Sequence, residues 1–230
     1  MKESKLIRKK WFKILKIFLK PFIRKTKFVF LDKKINGPYI IVSNHSAASG
    51  PLGYEFHYED PFRFWGTYEM NSGLVSCYKY LSNNYYPKKK HWNKFLSKVF
   101  CLIAAPVCNV FYKGLNLIST YPDTRFRKTL KESVKTLTSG NNLIVFPEAS
   151  ENGYFKELTC FHEGFVVFLE YCRKHNVDVP VYIAYFDKDK KTCYLDKPVY
   201  INELLSMNLN RSELSKYLCD KCNKLGKCNL

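Results

Sequence analysis

The sequence lacks an uninterrupted apolar run of about 18 residues, the length that a helix needs to cross a bilayer. This absence argues against a transmembrane protein and leaves a membrane-peripheral one open. Internal repeats and low-complexity linkers are also absent, which favours a single domain in a chain of 230 residues. Acidic residues are scarce: 20 Asp and Glu stand against 38 Lys and Arg, for a formal net charge of +18.

The spacing of a structural zinc site is missing too, although the chain has nine cysteines. The C-terminal run C-D-K-C-N-K-L-G-K-C contains Cys219, Cys222 and Cys228, but no second CxxC and no nearby histidine completes a four-ligand set. We therefore expect no metal, and free thiols in a Lys- and Cys-rich tail over residues 206–230. Basic residues interrupt the N-terminal apolar stretch, so no secretory signal is expected and the thiols fit a reducing cytosol.

Positive charge is concentrated at the N-terminus, where residues 1–30 hold eleven Lys or Arg and one acidic residue, a local net of +10. From Ser4 to Lys20 the apolar residues recur at helical spacing, and they are Ile7, Trp11, Ile14, Leu15 and Phe18. The lysines of the opposite side are Lys9, Lys13, Lys16 and Lys20. Residues 1–27 are thus predicted to form a basic amphipathic helix on an anionic membrane, where each nearby basic residue adds about 1 kcal/mol. The alternative is a helix packed on the domain with a solvated lysine face.

Apolar strands alternate with helical segments over residues 28–205. The predicted strands are F-V-F-L-D, Y-I-I-V-S, R-F-W-G-T, N-L-I-V-F-P-E, V-P-V-Y-I-A-Y and C-Y-L-D. The first two are interpreted as a hairpin or as neighbours, and the last as an edge strand. Helices are predicted over residues 123–139 and 161–175. This alternation predicts one α/β domain with a mostly parallel central sheet flanked by helices.

Two other segments allow more than one interpretation. Residues 91–112 are predicted to be a buried or partly membrane-embedded helix, broken at Pro106 and Asn109, that leads into a strand. Its apolar part, 99–111, is interpreted as a core helix, with the wall of an acyl-chain tunnel as the alternative. The run N-N-Y-Y-P-K-K-K-H-W (83–92) is interpreted as a solvated surface loop, with a headgroup- or nucleic-acid-binding loop as the alternative.

Two of the predicted strands end in polar residues that can do chemistry. I-I-V-S-N-H ends at His45, and L-I-V-F-P-E ends at Glu148. Ligands of open α/β sheets bind beyond the carboxyl ends of the strands, so we expect these two residues to face one crevice. A neutral imidazole there can take the proton of a hydroxyl that attacks an acyl carbon. The alternative for His45 alone is a capping or core histidine.

The order of these segments resembles that of the glycerolipid and lysophospholipid acyltransferases over roughly residues 28–200. Asn44 and His45 match the Asn-His motif of that family, and Phe146, Pro147 and Glu148 match its Phe-Pro-Glu motif. K-G-L-N-L-I-S (113–119) resembles the Gly-containing segment between the two motifs, and V-P-V-Y-I (179–183) resembles the strand that follows them.

The resemblance implies an acyltransferase-like fold with His45 and Asn44 as catalytic residues. The substrate-binding residues that it implies are Phe146, Pro147, Glu148, Ser49 and Gly114.

The resemblance also implies the substrates and the location of the protein. An acyl group would move from acyl-CoA or acyl carrier protein to a lipid-like acceptor at the cytoplasmic face of a membrane. No metal or bound organic cofactor is needed, because the thioester donor is already activated. Both donors are acidic, and the positive charge of the chain favours either one. Nucleic acid is not expected as a partner, because the charge is concentrated on the amphipathic helix and no nucleic-acid-binding motif is present.

One departure from the family pattern concerns the histidine. Gly50 stands five residues after His45, where the family has the aspartate that orients its catalytic histidine. Losing such a partner costs orders of magnitude in rate without always abolishing catalysis. Ser49 or a carboxylate from elsewhere is a possible substitute, and the carboxylate candidates are Glu55, Glu59, Asp60 and Glu69.

A second departure concerns the acceptor. Where the family has phosphate-binding arginines, this chain has Ser119-Thr120 and Ala149-Ser150-Glu151. A phosphomonoester acceptor is therefore disfavoured, unless another arginine binds it, and the candidates are Arg63, Arg125 and Arg127. The two departures leave a second hypothesis open, a catalytically silent lipid-binding protein with the same fold.

Overall fold

The computed structural model describes residues 8–149 and 153–228. The helices are α1 Lys10–Leu19, α2 Ser49–His57, α3 Tyr68–Asn71, α4 Leu74–Tyr80, α5 Lys94–Leu115, α6 Phe126–Thr138, α7 Gly164–Lys174, α8 Ile201–Leu205 and α9 Arg211–Cys228. A 3₁₀ turn, Lys20–Phe22, extends α1, and a π-helical segment, Leu81–Lys89, follows α4. The strands are β1 Lys27–Phe30, β2 Ile40–Ser43, β3 Phe62–Thr67, β4 Ile118–Thr120, β5 Asn142–Val145, β6 Pro180–Asp187, β7 Thr192–Leu195 and β8 Val199–Tyr200.

Within these ranges the strands form one eight-stranded sheet in the order β1-β7-β6-β2-β5-β3-β4, with β8 paired to β6. Only the pairs that β6 makes with β7 and β8 are antiparallel among the described strands. Every residue of β2, β5 and β6 is buried, as expected for central strands covered by helices on both faces. The predicted α/β class with a mostly parallel sheet flanked by helices is confirmed.

Two predictions about which strands pair with each other are wrong. β1 and β2 are not a hairpin or a neighbouring pair, because β7 and β6 lie between them. β7 is not an edge strand, because it pairs with β1 on one side and β6 on the other. The hairpin forms instead between β6 and β7, across the short turn after Asp187, and the free side of β7 then pairs with the N-terminal strand.

The two faces of the sheet support separate cores. Ile40 and Val42 of β2 pack with residues of α6, α7 and α9, whereas Ile41 packs with residues of α1, α2 and α5. This division follows from the alternation of side chains along a strand. Helices α1 and α5 therefore lie on the opposite side of the sheet from α8 and α9.

The C-terminal residues predicted as a tail contribute to the core. Helix α9 lies against β6, and its buried side chains include Leu214, Leu218, Cys219, Cys222 and Leu225. The two cysteines of the CxxC lie three residues apart on one side of the helix, so they extend its apolar stripe. No group of three or more His, Cys, Asp or Glu in the described part of the chain is placed to hold a metal ion.

Helix α5 is unbroken and begins and ends three residues later than the predicted range of 91–112. Its 22 residues run through Pro106 and Asn109 without a break, and Pro106 lies on the exposed side. In the described part of the chain α5 is the one helix that could cross a membrane by length and composition. The interpretation of 99–111 as a plain core helix is wrong, because the side chain of Ile103 is 77% exposed.

Helix α1 packs on the domain and also has an exposed apolar side. The ring of Phe12 is fully buried and meets the ring of Phe111 at 5.1 Å between centroids. Other apolar residues of the helix are exposed, namely Trp11, Ile14, Ile17 and Phe18. Ile7 and the other residues predicted for the first turn lie outside the described residues. The helix is packed on the domain, as the second alternative predicted, and contact of its exposed apolar side with a membrane stays a prediction.

The lysines of α1 differ in their environment. Lys16 does not lie in solvent, since its Nζ pairs with Oε1 of buried Glu55 at 2.8 Å. Arg8, just before the helix, pairs with the same carboxylate through Nη2 at 2.7 Å. Lys9, Lys10 and Lys13 remain exposed.

Candidate functional site

His45 and Glu148 lie side by side because β2 and β5 are adjacent and parallel. Each residue follows the carboxyl end of its strand, where an α/β sheet offers its crevice. The backbone N–H of His45 donates to Oε2 of Glu148 at 2.7 Å. Both residues line one cavity of about 960 Å³.

The cavity is large and mostly apolar. Its volume lies near the upper end of the range of roughly 300–1,000 Å³ that is typical of small-molecule sites. Its apolar lining includes Leu52, Phe64, Met70, Leu81, Phe111, Tyr112, Leu115, Leu117, Phe146 and Phe165. Polar groups also line the cavity, and those at the His45 end and at the ends of β3 and β4 include Glu148, Lys89, Thr67, Glu69 and Thr120.

The imidazole of His45 lies between two aromatic rings. It stacks on Tyr154 at 4.9 Å and meets Phe146 edge-on at 5.1 Å. Burial and, to a lesser degree, the positive charge of Lys89 lower the pKa of His45 to about 4, and a contact with the backbone of Ala47 acts in the opposite direction. The ring is therefore neutral at pH 7. Its Nδ1 is buried without a hydrogen-bond partner among the described residues, so Nε2 is the nitrogen that can meet a molecule in the cavity.

The carboxylates proposed as substitutes for the missing aspartate are engaged elsewhere or exposed. Their partners are Arg8 and Lys16 for Glu55, Tyr39 and Lys34 for Asp60, and Thr67 for Glu69. Glu59 is exposed. Within residues 8–149 and 153–228, none of the four carboxylates bonds to the ring of His45.

The turn after His45 depends on the glycine that replaces the aspartate. A Cβ added to Gly50 would lie 2.5 Å from the carbonyl oxygen of His45, which is closer than real Cβ atoms come. Position 50 cannot take an aspartate unless the backbone moves. Ser49, predicted to bind substrate, begins α2 and lines a separate polar cavity of about 310 Å³.

Asn44, predicted to be catalytic, joins two strands. Its Oδ1 accepts from the backbone N–H of Phe186 at 2.7 Å, and its Nδ2 donates to the carbonyl of Phe186 at 3.1 Å. The side chain thus makes the two hydrogen bonds that the backbone of a neighbouring strand would make, and it links the end of β2 to β6. Asn44 does not line the large cavity, so it can act only by positioning the turn that carries His45.

Gly114, predicted to bind substrate, serves the packing of α1 on α5. A Cβ at this position would lie 2.0 Å from Cδ2 of Phe12, so only glycine leaves room for that ring. Gly114 does not line either cavity. Phe146 and Pro147, by contrast, line the large cavity beside Glu148.

Glu148 is a buried carboxyl group whose charge changes near neutral pH. Burial raises its pKa to about 7, against the opposing effects of the backbone N–H of His45 and the charge of Lys89. Hydrogen bonds from the backbone of Phe155 and Ser46 oppose the rise as well.

Lys89 and Tyr154 are two residues of the site that were not predicted from the sequence. Lys89 ends the π-helical segment, and its Nζ lies 5.5 Å from the centre of the Tyr154 ring. Lys89 lines both cavities, although it belongs to the 83–92 run interpreted as a surface loop. The mixture of lysines and aromatics was the available signal, but it did not distinguish the lysine that turns inward.

The arginines considered for an acceptor phosphate do not line the large cavity. Arg63 pairs with Glu132, and Arg125 pairs with Asp123. Arg127 is exposed, and Ser150 and Glu151 lie outside the described residues.

No known protein-family profile matches the sequence. No curated protein matches it at a significant level. Among solved structures, the chain is similar to that of the 1-acyl-sn-glycerophosphate (LPA) acyltransferase PlsC from Thermotoga maritima, with 14% sequence identity and a TM-score of 0.48. The match covers 94% of this chain and 77% of that one.

The arrangement around His45 can accept a proton but stabilises the charged ring poorly. A ring that uses Nε2 as a base carries its proton on Nδ1, and that N–H has no acceptor among the described residues. An unsatisfied buried donor costs about 1–3 kcal/mol. The ring is therefore a weak base next to a cavity that suits an apolar chain.

Proposed function

We propose that this protein transfers a fatty acyl group from an acyl thioester to the hydroxyl of a lipid-like acceptor, at the cytoplasmic face of a membrane. The observation that carries the proposal is the position of His45, whose neutral ring lines a cavity of about 960 Å³ with mostly apolar walls. Apolar walls suit an acyl chain, and a neutral imidazole suits proton removal from a hydroxyl.

In the proposed reaction, Nε2 of His45 takes the proton of the acceptor hydroxyl as its oxygen attacks the thioester carbonyl carbon. The new C–O bond forms, the C–S bond breaks, and the leaving thiolate receives the proton from the imidazolium. The products are an ester and a free thiol. Acyl-CoA and acyl carrier protein are both suitable donors, because each is acidic and the chain carries a net charge of +18.

Lys89 is the cation best placed to help this reaction. It lines the same cavity as His45, and its charge is close enough to lower the pKa of both His45 and Glu148. A fixed positive charge stabilises the oxyanion that forms on the thioester carbonyl. The same positive charge disfavours the imidazolium of His45. Lys89 therefore stabilises the negative charge of the transition state and destabilises its positive charge.

The acceptor is proposed to lack a phosphomonoester. The arginine candidates lie outside the cavity lining, and a single lysine offers no planar fork for two phosphate oxygens.

The membrane part of the proposal rests on α1. Ile14 and Phe18 are 57% and 70% exposed, and Lys9, Lys10 and Lys13 are exposed beside them. Apolar and basic groups on one short helix suit an anionic bilayer surface.

An acyl-transfer assay tests the chemistry. Purified protein is mixed with radiolabelled acyl-CoA or acyl carrier protein and a panel of lysolipids on phosphatidylglycerol vesicles. We expect transfer to fall at least a hundredfold in His45→Ala, since a general base contributes about 10²–10⁴ in rate. The matched control is His175→Ala, which removes an exposed histidine outside both cavities. Undiminished transfer in His45→Ala would exclude His45 as the base.

A second candidate function is lipid binding without turnover. The observation that favours it is that Nδ1 of His45 has no hydrogen-bond partner among the described residues. In addition, the backbone at position 50 leaves no room for the side chain of an aspartate. Native mass spectrometry of gently purified protein would identify a bound acyl lipid. Lipid that co-purifies equally with wild type and His45→Ala, with no transfer from either donor, would favour this function. Gly50→Asp is a poor discriminator, because the substitution itself displaces the His45 turn.

A further inference from the structure

Helix α5 exposes a continuous apolar stripe on its outer side. The stripe includes Phe95, Leu96, Leu102, Ile103, Val107 and Val110, and each of these side chains is at least half exposed. Leu96, Ile103, Val107 and Val110 follow one another at spacings of seven, four and three residues, and Phe95 and Leu102 are seven apart, which places the six on one side of the helix. A contiguous run of exposed apolar side chains along a helix of 22 residues is typical of a surface that contacts a partner or a membrane.

The neighbours of α5 extend this surface. Phe12 of α1 packs against Gly114 of α5, which brings the exposed residues of α1 beside the end of the stripe. Val75 of α4 is 68% exposed, and α4 also packs against α5. Exposed lysines lie on the same helices, namely Lys10, Lys13, Lys94, Lys98 and Lys113. An apolar centre with lysines around it complements an anionic bilayer.

The inner side of α5 forms a wall of the large cavity. Cys108, Phe111, Tyr112 and Leu115 line the cavity beside which His45 lies. One helix thus has the cavity on one side and the exposed stripe on the other.

We propose that α5 is the principal membrane-insertion helix of this protein, and that acyl chains enter the cavity laterally from the bilayer in which α5 lies. The helix lies in the plane of the interface and does not cross the membrane, because Cys101 and Ala105 on its inner side are buried against the domain. Its length of about 33 Å, at 1.5 Å per residue, gives it a long line of contact with the bilayer. Only the identity of the entering chain rests on the proposed function.

Vesicle partition at high salt tests the insertion. At about 1 M salt the Debye length falls to about 3 Å, so binding that depends on exposed lysines is screened while apolar insertion persists. We expect wild type to stay bound to vesicles of equal phosphatidylglycerol and phosphatidylcholine. The double variant Ile103→Asp/Val107→Asp is expected to lose at least tenfold in its partition coefficient.

The matched control is Leu209→Asp, which places a charge at an exposed leucine between α8 and α9, on the opposite side of the sheet. It should bind as wild type does. Because Ile103 and Val107 are exposed, circular dichroism should show no change of fold, and Ile103→Gln is available if the double variant is unstable. Equal partition of wild type and the folded α5 variants would overturn the insertion.

The route of entry is tested by stopped-flow transfer of an anthroyloxy-labelled fatty acid from these vesicles to the protein. Entry from the bilayer predicts a transfer rate that rises with vesicle concentration, since it requires contact between protein and vesicle. Passage through water predicts a rate that is independent of vesicle concentration, and that result would overturn lateral entry. Neither measurement depends on turnover, so a failure of acyl transfer would leave both results unchanged.

Discussion

The bond between His45 and Glu148 joins the main chain of one residue to the side chain of the other. Oε2 of Glu148 accepts the backbone N–H of His45 at 2.7 Å, while Nδ1 of the ring has no acceptor among the described residues. Glu148 therefore holds the turn that carries the histidine and does not orient the ring. Lys89 lowers the pKa of both groups, and burial acts on them in opposite directions, so that the pKa of His45 lies at about 4 and that of Glu148 at about 7.

His45 is expected to make the protein less stable in acid. Unfolded chains protonate histidine below a pKa of 6.5, but folded His45 takes a proton only below about 4. Protons therefore favour the unfolded state in this window, and stability is lost as pH falls from about 6.5 to about 4. The loss is about 3 kcal/mol by the conversion of 1.36 kcal/mol per pKa unit. In urea unfolding at pH 4 and pH 7, His45→Gln should lose less stability on acidification than wild type.

Glu148 is expected to make the protein less stable as the pH rises, which is the opposite of the effect of His45. Its folded pKa of about 7 exceeds the ordinary value of 4.5, so the unfolded chain releases this proton first. Stability from this group is present below about pH 4.5 and is lost as pH rises to about 7. Glu148→Gln should therefore gain stability relative to wild type between pH 5 and pH 7.5, measured by urea unfolding. A pH-independent difference between the two proteins would contradict the raised pKa.

Lys89 is expected to control the charge of His45. Removing the positive charge in Lys89→Met should raise the pKa of His45, because the lysine is one of the causes that lower it. The shift is measurable by NMR titration of the imidazole resonances. Acyl transfer should fall at least tenfold in the same variant, since an oxyanion-stabilising donor is worth about 10²–10³. Lys90→Met is the control, because Lys90 lines only the small polar cavity.

Gly114 is expected to tolerate no side chain. In Gly114→Ala the new Cβ would lie 2.0 Å from Phe12, so α1 must shift or detach. Overpacking of this kind costs typically about 1–3 kcal/mol, and denaturant unfolding should show it. Gly164→Ala is the control, since its Cβ would make only an ordinary contact at 3.4 Å at the start of α7. Combining Gly114→Ala with Phe12→Ala should cost less than the sum of the two single changes.

Glu55 is expected to be essential for docking α1. Its carboxylate is almost fully buried, and removing its charge in Glu55→Gln leaves Arg8 and Lys16 without a counter-ion. Breaking a buried pair in this way costs about 3–5 kcal/mol. Denaturant unfolding measures the loss. The exposed pair of Glu157 and Lys227 is the control, and Glu157→Gln should change stability by less than about 1 kcal/mol.

Periodicity and strand-end residues predicted much of the fold. The alternation of apolar strands and helices was sufficient for the α/β class, and α6 and α7 lie within the ranges that periodicity predicted. The neighbours of β1 and β7 were not predictable, because pairing between distant strands leaves no local pattern. The apolar stripe of α9 was not recognised either, because lysines stand between its buried positions in the sequence.

The sequence by itself determined that His45 and Glu148 end two apolar strands and that Gly50 replaces a carboxylate at the expected position. These are local properties of the chain. Only the tertiary structure decided that Glu55, Asp60 and Glu69 bind other partners, that Lys89 turns inward, and that α5 leaves its apolar stripe outside. Each of these outcomes depends on residues far apart in the chain, and burial and pairing of that kind are set by packing.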